Sequence, residues 1–255
     1  KESINSILNG LKWLGIKYDD ELIYQSNKIL EHKKIITQLI NNNFAYKCFH
    51  TDEEILELKQ KNKKFKSKWR DKTDHPDNTQ FCVRVKSPLD GQTIINDKVQ
   101  GIVKVENKEL DDFVIMRSDG SPTFLLSSAV DDFLMSVTDI IRGDDHLTNS
   151  FRQMIIFKYL NYQPIFSHMP LIHNENNEKL SKRNNALSIE EYKNKGFLPE
   201  TMINYLLRLG WSFGDKEIIS LNDAIKNFKI EKIGKSSSKL DEKKLLFLNN
   251  FYIKN

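Results

Sequence analysis

The stretch that most constrains this chain is a run of seven residues, Phe166-Ser167-His168-Met169-Pro170-Leu171-Ile172, which reads as an apolar strand. Asn174-Glu175-Asn176-Asn177-Glu178 follows as a polar, mobile loop, and Ser188-Ile189-Glu190-Glu191 spells a capping box that starts a new helix. Between loop and helix stands Lys179-Leu180-Ser181-Lys182-Arg183. Three cations within five residues, beside a small hydroxyl, make a concentrated site for polyphosphate on a loop that can reach over a nucleotide. In a Lys-rich chain the competing reading is a solvated charged face.

A chain of 255 residues with 39% hydrophobic content can bury a real core, as one large domain or two moderate ones, which argues against disorder. The net charge of +4, from 39 basic and 35 acidic residues, is a mild bias toward anionic partners and does not identify nucleic acid by itself. Two cysteines, Cys48 and Cys82, cannot build a disulfide framework, and no stretch approaches the roughly 20 apolar residues of a membrane span. No signal peptide is seen, so the expectation is a soluble cytoplasmic protein.

Residues 1 to about 45 read as helices, with Ile4, Leu8, Leu11 and Leu14 on one face and Ile29, Ile35, Ile36, Leu39 and Ile40 continuing an apolar stripe. Gly15 and Tyr18-Asp19-Asp20 separate the two. Thr51-Asp52-Glu53-Glu54 is a second capping box. Phe81, Val83 and Val85 alternate as a half-buried strand, and Val103 and Val105 do the same after a turn at Asn96-Asp97. Before them lie Lys59, Lys61, Lys63, Lys64, Lys66, Lys68, Arg70 and Lys72, interleaved with Phe65 and Trp69 and opposed only by Asp71. Charge of this density fits an RNA backbone, with the aromatics stacking on bases or anchoring the loop; a flexible Lys-rich loop is the alternative.

Further on, Phe113–Arg117 and Thr123–Leu126 flank Ser118-Asp119-Gly120-Ser121-Pro122, which predicts a hairpin with an Asp-Gly turn. Asp131-Asp132 is expected at a helix start or turn, and Val137–Ile141 as a buried strand ending in Arg142-Gly143. Substrates of open α/β sheets collect at the carboxyl ends of strands, where the planar fork of Arg142 could clamp a carboxylate; pairing with Asp144 or Asp145 competes with that role. Asp144, Asp145 and His146 are expected to cap the next helix, with Thr148, Asn149 or Ser150, and to hold no metal. Cys48-x-His50, with only His75 to spare nearby, falls short of four zinc ligands, so Cys48 reads as a packed residue. Beyond Pro199, at a first helical position, Met202, Ile203, Leu206 and Leu209 face one way with Gly210 past the end, and Asp241 precedes a helix with Leu245, Leu248 and Phe251 inward.

The pentad resembles the KMSKS signature of class I aminoacyl-tRNA synthetases, in the form common in the glutamyl enzyme. Gly120-Ser121-Pro122-Thr123, Val130-Asp131-Asp132 and Ile141–His146 upstream, and Gly196–Glu200 and Asn204–Ser212 downstream, are similar to that family in the same order. The likeness runs from Trp13-Leu14-Gly15 to Leu248–Ile253. It implies an α/β protein with the class I nucleotide-binding, Rossmann-like fold, an α+β insertion and a C-terminal helical stem-contact region. The implied divisions are 1–45, part of the catalytic domain; 46–110, a connective insertion that approaches the acceptor end of tRNA; 111–183, the second catalytic half; and 184–255, the stem-contact helices.

By the same resemblance, the activity is ATP-dependent attachment of glutamate to tRNA through glutamyl-adenylate. Lys182 is the implied catalytic group at the phosphates, with Lys179, Ser181, Arg183, Leu171, Ile172 and Asp145 on ATP, and Arg142, Phe124 and Ser128 on glutamate. Lys64, Lys66, Lys68 and Arg70 are the implied tRNA contacts. Mg2+ arrives with ATP, no protein-bound zinc is expected, and the implied partners are tRNA, ATP and L-glutamate, acting on a monomer. The chain departs from the family at Phe124, usually Tyr, and at Ser128, an amide-bearing residue in some relatives, which bears on discrimination from glutamine. The His-x-Gly-His type signature is not found before Lys1, nor an anticodon-binding region after Asn255, so an internal portion with an incomplete site is expected. A glutaminyl enzyme, a glutamyl transferase acting on a modified tRNA base and a non-catalytic RNA-binding fragment are the competing readings.

Overall fold

The computed structural model describes residues 2–61, 67–180 and 187–255. Helices α1 (Glu2–Trp13) and α2 (Ile29–Asn41) form where the apolar stripes predict them, and Gly15, at φ 71°, turns the chain out of the first. The second gives its stripe to the core through Ile36 and Leu39, while Ile4 and Ile29 stay exposed. After β1 (Ala45–Cys48), Thr51 caps α3 (Asp52–Lys61) reciprocally: Glu54 N–H donates to Thr51 Oγ1 at 3.3 Å and Thr51 N–H to the Glu54 carboxylate at 3.1 Å. Strand β2 (Cys82–Val85) lies antiparallel between β1 and β5 (Val114–Met116). As the centre strand it is buried on both faces rather than half-buried, Arg84 included, because the Arg84 guanidinium donates to the Asp112 carbonyl at 2.7 Å. The β2–β5 pairing crosses the division expected at residue 110.

Strands β3 (Gln92–Asp97) and β4 (Gly101–Glu106) form a hairpin whose turn lies one step past Asn96-Asp97. The cause is Asp97, still in its strand, whose carboxylate accepts the N–H groups of Val99 and Gln100 at 2.9 and 2.8 Å. The expected second strand at Thr123–Leu126 is instead the start of a helix, α4 (Phe124–Leu134). Gly120 does turn, at φ 79°, but the return limb contributes only the Met116–Pro122 bridge before extended Thr123 opens the helix. Leu126, Ala129 and Val130, all at 0% exposure, show the helical period that overrides the hairpin signal. Asp131-Asp132 therefore sits in the last turn of α4, not at its start.

Strand β6 (Asp139–Gly143), helix α5 (Leu147–Tyr159) and strand β7 (Ile165–Met169) make a parallel βαβ unit, with Arg142 opposite His168. Only one face of β6 is covered: Ile140 is buried and Ile141 is 54% exposed, unlike the buried strand expected. The main core joins α2, the three-stranded sheet, α4, α5 and β7 through Val83, Ile115, Leu126, Ile156, Phe157 and Phe166. Each such side chain contributes ~1.5–3 kcal/mol of burial.

The polar loop closes as a tight turn, Asn174 Oδ1 accepting from Asn176 and Glu178 N–H, between β8 (Ile172–His173) and a bridge at Lys179. Helix α6 (Ile189–Asn194) carries the full Ser188–Glu191 capping box. Ser188→Ala should cost about 1 kcal/mol, or roughly 2–4 °C of melting temperature for a chain of this size, measured by thermal unfolding. In α7 (Pro199–Gly210), Pro199 takes the first position and Gly210 the last, not the position beyond. Its buried face is Thr201, Met202, Asn204 and Tyr205, with Leu206 41% exposed, because Thr201 and Asn204 turn inward to bond Asn249 and Ile219. After α8 (Leu221–Asn227), strand β9 (Ser238–Lys239) pairs in parallel with β8, and Asp241 caps α9 (Glu242–Lys254). Leu245 and Leu248 pack against Met202 and Tyr205, whereas Phe251, expected inward, is 36% exposed. Among the described residues, no helix is long and apolar enough to cross a membrane.

Candidate active site

The carboxyl ends of β6 and β7 gather most of the residues singled out from the sequence. Arg142, next to last in β6, donates from Nη2 to Ser150 Oγ at 2.5 Å and to Gln153 Oε1 at 2.7 Å, and from Nε to His168 Nε2 at 3.3 Å. The Phe166 ring lies 5.5 Å beneath its guanidinium carbon. Every acceptor that holds it is neutral. Nη1 has no hydrogen-bond partner among the described residues, and no carboxylate there forms an ion pair with this side chain. Pairing with Asp144 or Asp145, the competing role in the sequence, is thus not what the geometry shows. Burial lowers the Arg142 pKa, and Asp132 and Asp145 oppose this only through space. A half-buried cation with one unused donor edge is arranged to receive a planar anion.

Ser128 and Phe124 lie one helical turn apart on α4. Ser128 Oγ accepts from Gln153 Nε2 at 2.5 Å, so Ser128, Gln153 and Arg142 form one chain of hydrogen bonds. Phe124 is half exposed and its ring sits 5.8 Å from that of His146, which places an aromatic wall beside the loop after β6. Gly143 has a packing reason: a Cβ there would meet Asp145 Oδ1 at 2.7 Å and Leu171 Cδ2 at 3.2 Å. Without one, Asp145 and Leu171 lie directly over the strand end. Asp145 forms an ion pair with Lys179, whose ammonium holds the carboxyl below its ordinary range. Ile172 accepts the Leu180 N–H at 2.8 Å. The first two residues of the basic pentad are therefore anchored at the strand ends, by Asp145 below and by β8, itself supported by β9. Ser181, Lys182 and Arg183 lie outside the described residues.

The insertion is less uniform. Lys64 and Lys66 lie outside the described residues. Lys68 reaches Glu54 at 3.0 Å and lies 5.7 Å from the Trp69 ring, with over half of its side chain exposed. Arg70 points inward instead of toward solvent: Nη1 donates to Asp112 at 2.5 Å and Nη2 to the Ser87 carbonyl at 2.8 Å. Trp69 is an anchor, packed on Tyr46 and Cys48 and 5.1 Å from Phe49. Cys48 is buried there with its thiol on Ser67 Oγ. Among the described residues, no group of three His, Cys, Asp or Glu side chains is placed to hold a metal ion.

Sequence reasoning missed the polar groups under Arg142. Ser150, Gln153 and His168 are each 0% exposed, and His168 Nδ1 lies 2.6 Å from Asp97 Oδ2. Their signal was a polar pair, Ser167-His168, inside an otherwise apolar strand; such residues are buried only when partnered.

Comparison with known proteins agrees with this layout. A family profile described as tRNA synthetases class I (E and Q), catalytic domain, matches residues 1–247. Glutamate--tRNA ligase 2 of Ehrlichia chaffeensis is 50% identical across 99% of this chain and 55% of its own length, and glutamate--tRNA ligase 1 of Bartonella tribocorum is 45% identical with the same coverage. The chain thus spans about half the length of the curated relatives it matches. The crystal structure of a glutamate tRNA ligase from Elizabethkingia meningosepticum in complex with its amino acid superposes with a TM-score of 0.87, at 27% identity, over 99% of this chain and 60% of that one. The parallel strand ends that carry Arg142, the anchored base of the pentad and this nearly full-length match together place the chain in the class I tRNA synthetases (E and Q), as their catalytic domain.

Proposed function

We propose that the protein to which this chain belongs attaches glutamate to tRNA in two steps. In the first, a glutamate α-carboxylate oxygen attacks the α-phosphorus of ATP, forming glutamyl-adenylate and releasing pyrophosphate. In the second, a hydroxyl of the terminal tRNA ribose takes the glutamyl group and AMP leaves. The observation that carries this reading is the Arg142 guanidinium, held by neutral acceptors at a strand end with Nη1 unused. It matches a substrate that brings a carboxylate, and the ligase from Elizabethkingia was solved with its amino acid. Phe124 walls the pocket and contributes no donor. Leu171 and Ile172 line the nucleotide side, and Asp145 sets the loop's base through Lys179.

Phosphoryl transfer of this kind depends on positioning and on neutralising the charge that develops on the phosphates. Lys182, with Ser181 and Arg183, supplies that charge, and Mg2+ arrives on the triphosphate. Lys68, and with it Lys64 and Lys66, faces the RNA. Glutamate-dependent exchange of pyrophosphate into ATP by the full-length protein, with its tRNA present, tests the first step; glutamine as the sole amino acid tests specificity. Lys182→Ala should lower that exchange about 100-fold. Exchange at the parent rate would remove the pentad from the reaction, and exchange with glutamine alone would reassign the substrate.

A further inference from the structure

Beneath Arg142, Asp97 Oδ2, His168 Nδ1, His168 Nε2 and Ser150 Oγ follow one another at 2.6 and 2.7 Å. The order is that of a nucleophilic triad, but the geometry excludes that role: Ser150 and His168 are 0% exposed, and Ser150 Oγ accepts from Arg142. The ring instead has a donor task on one side and an acceptor task on the other. Nδ1 faces the Asp97 carboxylate and so carries the proton, which leaves Nε2 with a lone pair toward Arg142 Nε and Ser150 Oγ.

We infer that Asp97 and His168 are positioning residues for the carboxylate-binding Arg142, Asp97 fixing the Nδ1–H tautomer so that Nε2 accepts from the guanidinium and keeps Nη1 aimed at the substrate. The inference rests on the reading of Arg142 given above. Asp97 ends β3 in the hairpin of the insertion, so a residue far from the strand ends in sequence sets the angle of the arginine. The groups around the ring agree with this proton arrangement. A protonated ring would turn a second N–H onto the Arg142 cation; burial, and then that cation, hold the His168 pKa below its ordinary range against the pull of Asp97 and Asp144. The Asp97 carboxyl, despite burial, is held low by N–H groups of Gln100, His168 and Val99 and by the His168 ring.

Asp97→Asn separates the tautomer from the fold. Asp97 Oδ1 accepts Val99, Gln100 and His168 N–H at 2.9, 2.8 and 3.1 Å, bonds that an amide oxygen keeps. The amide nitrogen then replaces Oδ2 opposite Nδ1, and the ring proton moves to Nε2, where it confronts Arg142. On the full-length protein, the expected result is a roughly 10- to 100-fold rise in the KM for glutamate. The KM for ATP stays unchanged, and 15N NMR shows His168 passing from the Nδ1–H to the Nε2–H form. Ser150→Ala, which removes only a hydroxyl, should raise the glutamate KM several-fold. A switched tautomer with an unchanged glutamate KM overturns the inference, as does an unaffected Ser150→Ala protein if Asp97→Asn does not fold. A parent with no glutamate-dependent exchange refutes the functional reading instead; the contact is then read from the Arg142 Nε–H resonance, and no change in it with Asp97→Asn overturns the positioning role.

Discussion

Arg142→Ala in the full-length protein should lower kcat/KM for glutamate in pyrophosphate exchange by roughly 10²- to 10³-fold, the cost of removing one partner from a desolvated charge pair. Its guanidinium is placed by three neutral acceptors and stacked over Phe166, so the side chain is preorganised before substrate arrives. Arg142→Lys should recover little of the loss. An ammonium can reach Ser150 or Gln153, but it cannot also accept the support of His168 and present a second planar edge. The KM for ATP should stay within about twofold, since nucleotide contacts are expected from the loop beyond Leu171 and not from this side chain. Equal losses for glutamate and ATP, or full activity in the Lys variant, would show that Arg142 serves the fold rather than the carboxylate.

How far this site could be read from the sequence depends on how local its causes are. The capping boxes at Thr51 and Ser188 satisfy backbone donors within four residues, and both form as written. Arg142 at the end of a strand and the pentad after another are equally local, and the parallel β6–β7 pairing brings them to one end of the molecule. The failures arise where a distant partner decides. Phe124 and Leu126 look like a returning strand until Ala129 and Val130 are seen to bury on the same helical face. Arg70 looks like one more cation in a basic run until Asp112, 42 positions away, is found against it. Asp97 and His168 are 71 apart, and neither carries a pattern that names the other. In α7 and α9 the apolar count alone points to Leu206 and Phe251, yet inward hydrogen bonds of Thr201, Asn204 and Asn249 rotate the buried face away from them.

The Arg70–Asp112 pair supplies the largest stability effect expected here. The Asp112 side chain is 0% exposed and serves three donors: Arg70 Nη1 at 2.5 Å, Ser87 N–H at 3.1 Å and the Tyr46 hydroxyl at 3.1 Å. Burial and the adjacent carboxylate push the Tyr46 pKa up, so that hydroxyl keeps its proton and remains a donor. Asp112→Ala removes the acceptor of all three and leaves the Arg70 cation, 14% exposed, without its counter-charge. Such a loss costs about 3–5 kcal/mol, or roughly 10 °C of melting temperature at this chain length. Arg70→Ala should be milder, because the carboxylate keeps Ser87 and Tyr46, and the two changes together should cost less than their sum, by an amount that measures the pair. This also separates the two roles open to Arg70. If its service is to RNA, Arg70→Ala weakens tRNA binding and leaves the melting temperature within about 1 °C, as surface substitutions do. If it staples the insertion to the segment before β5, the melting temperature falls first, and at a temperature where both proteins are folded tRNA affinity is unchanged. Two guanidinium nitrogens already committed to Asp112 and Ser87 favour the second outcome.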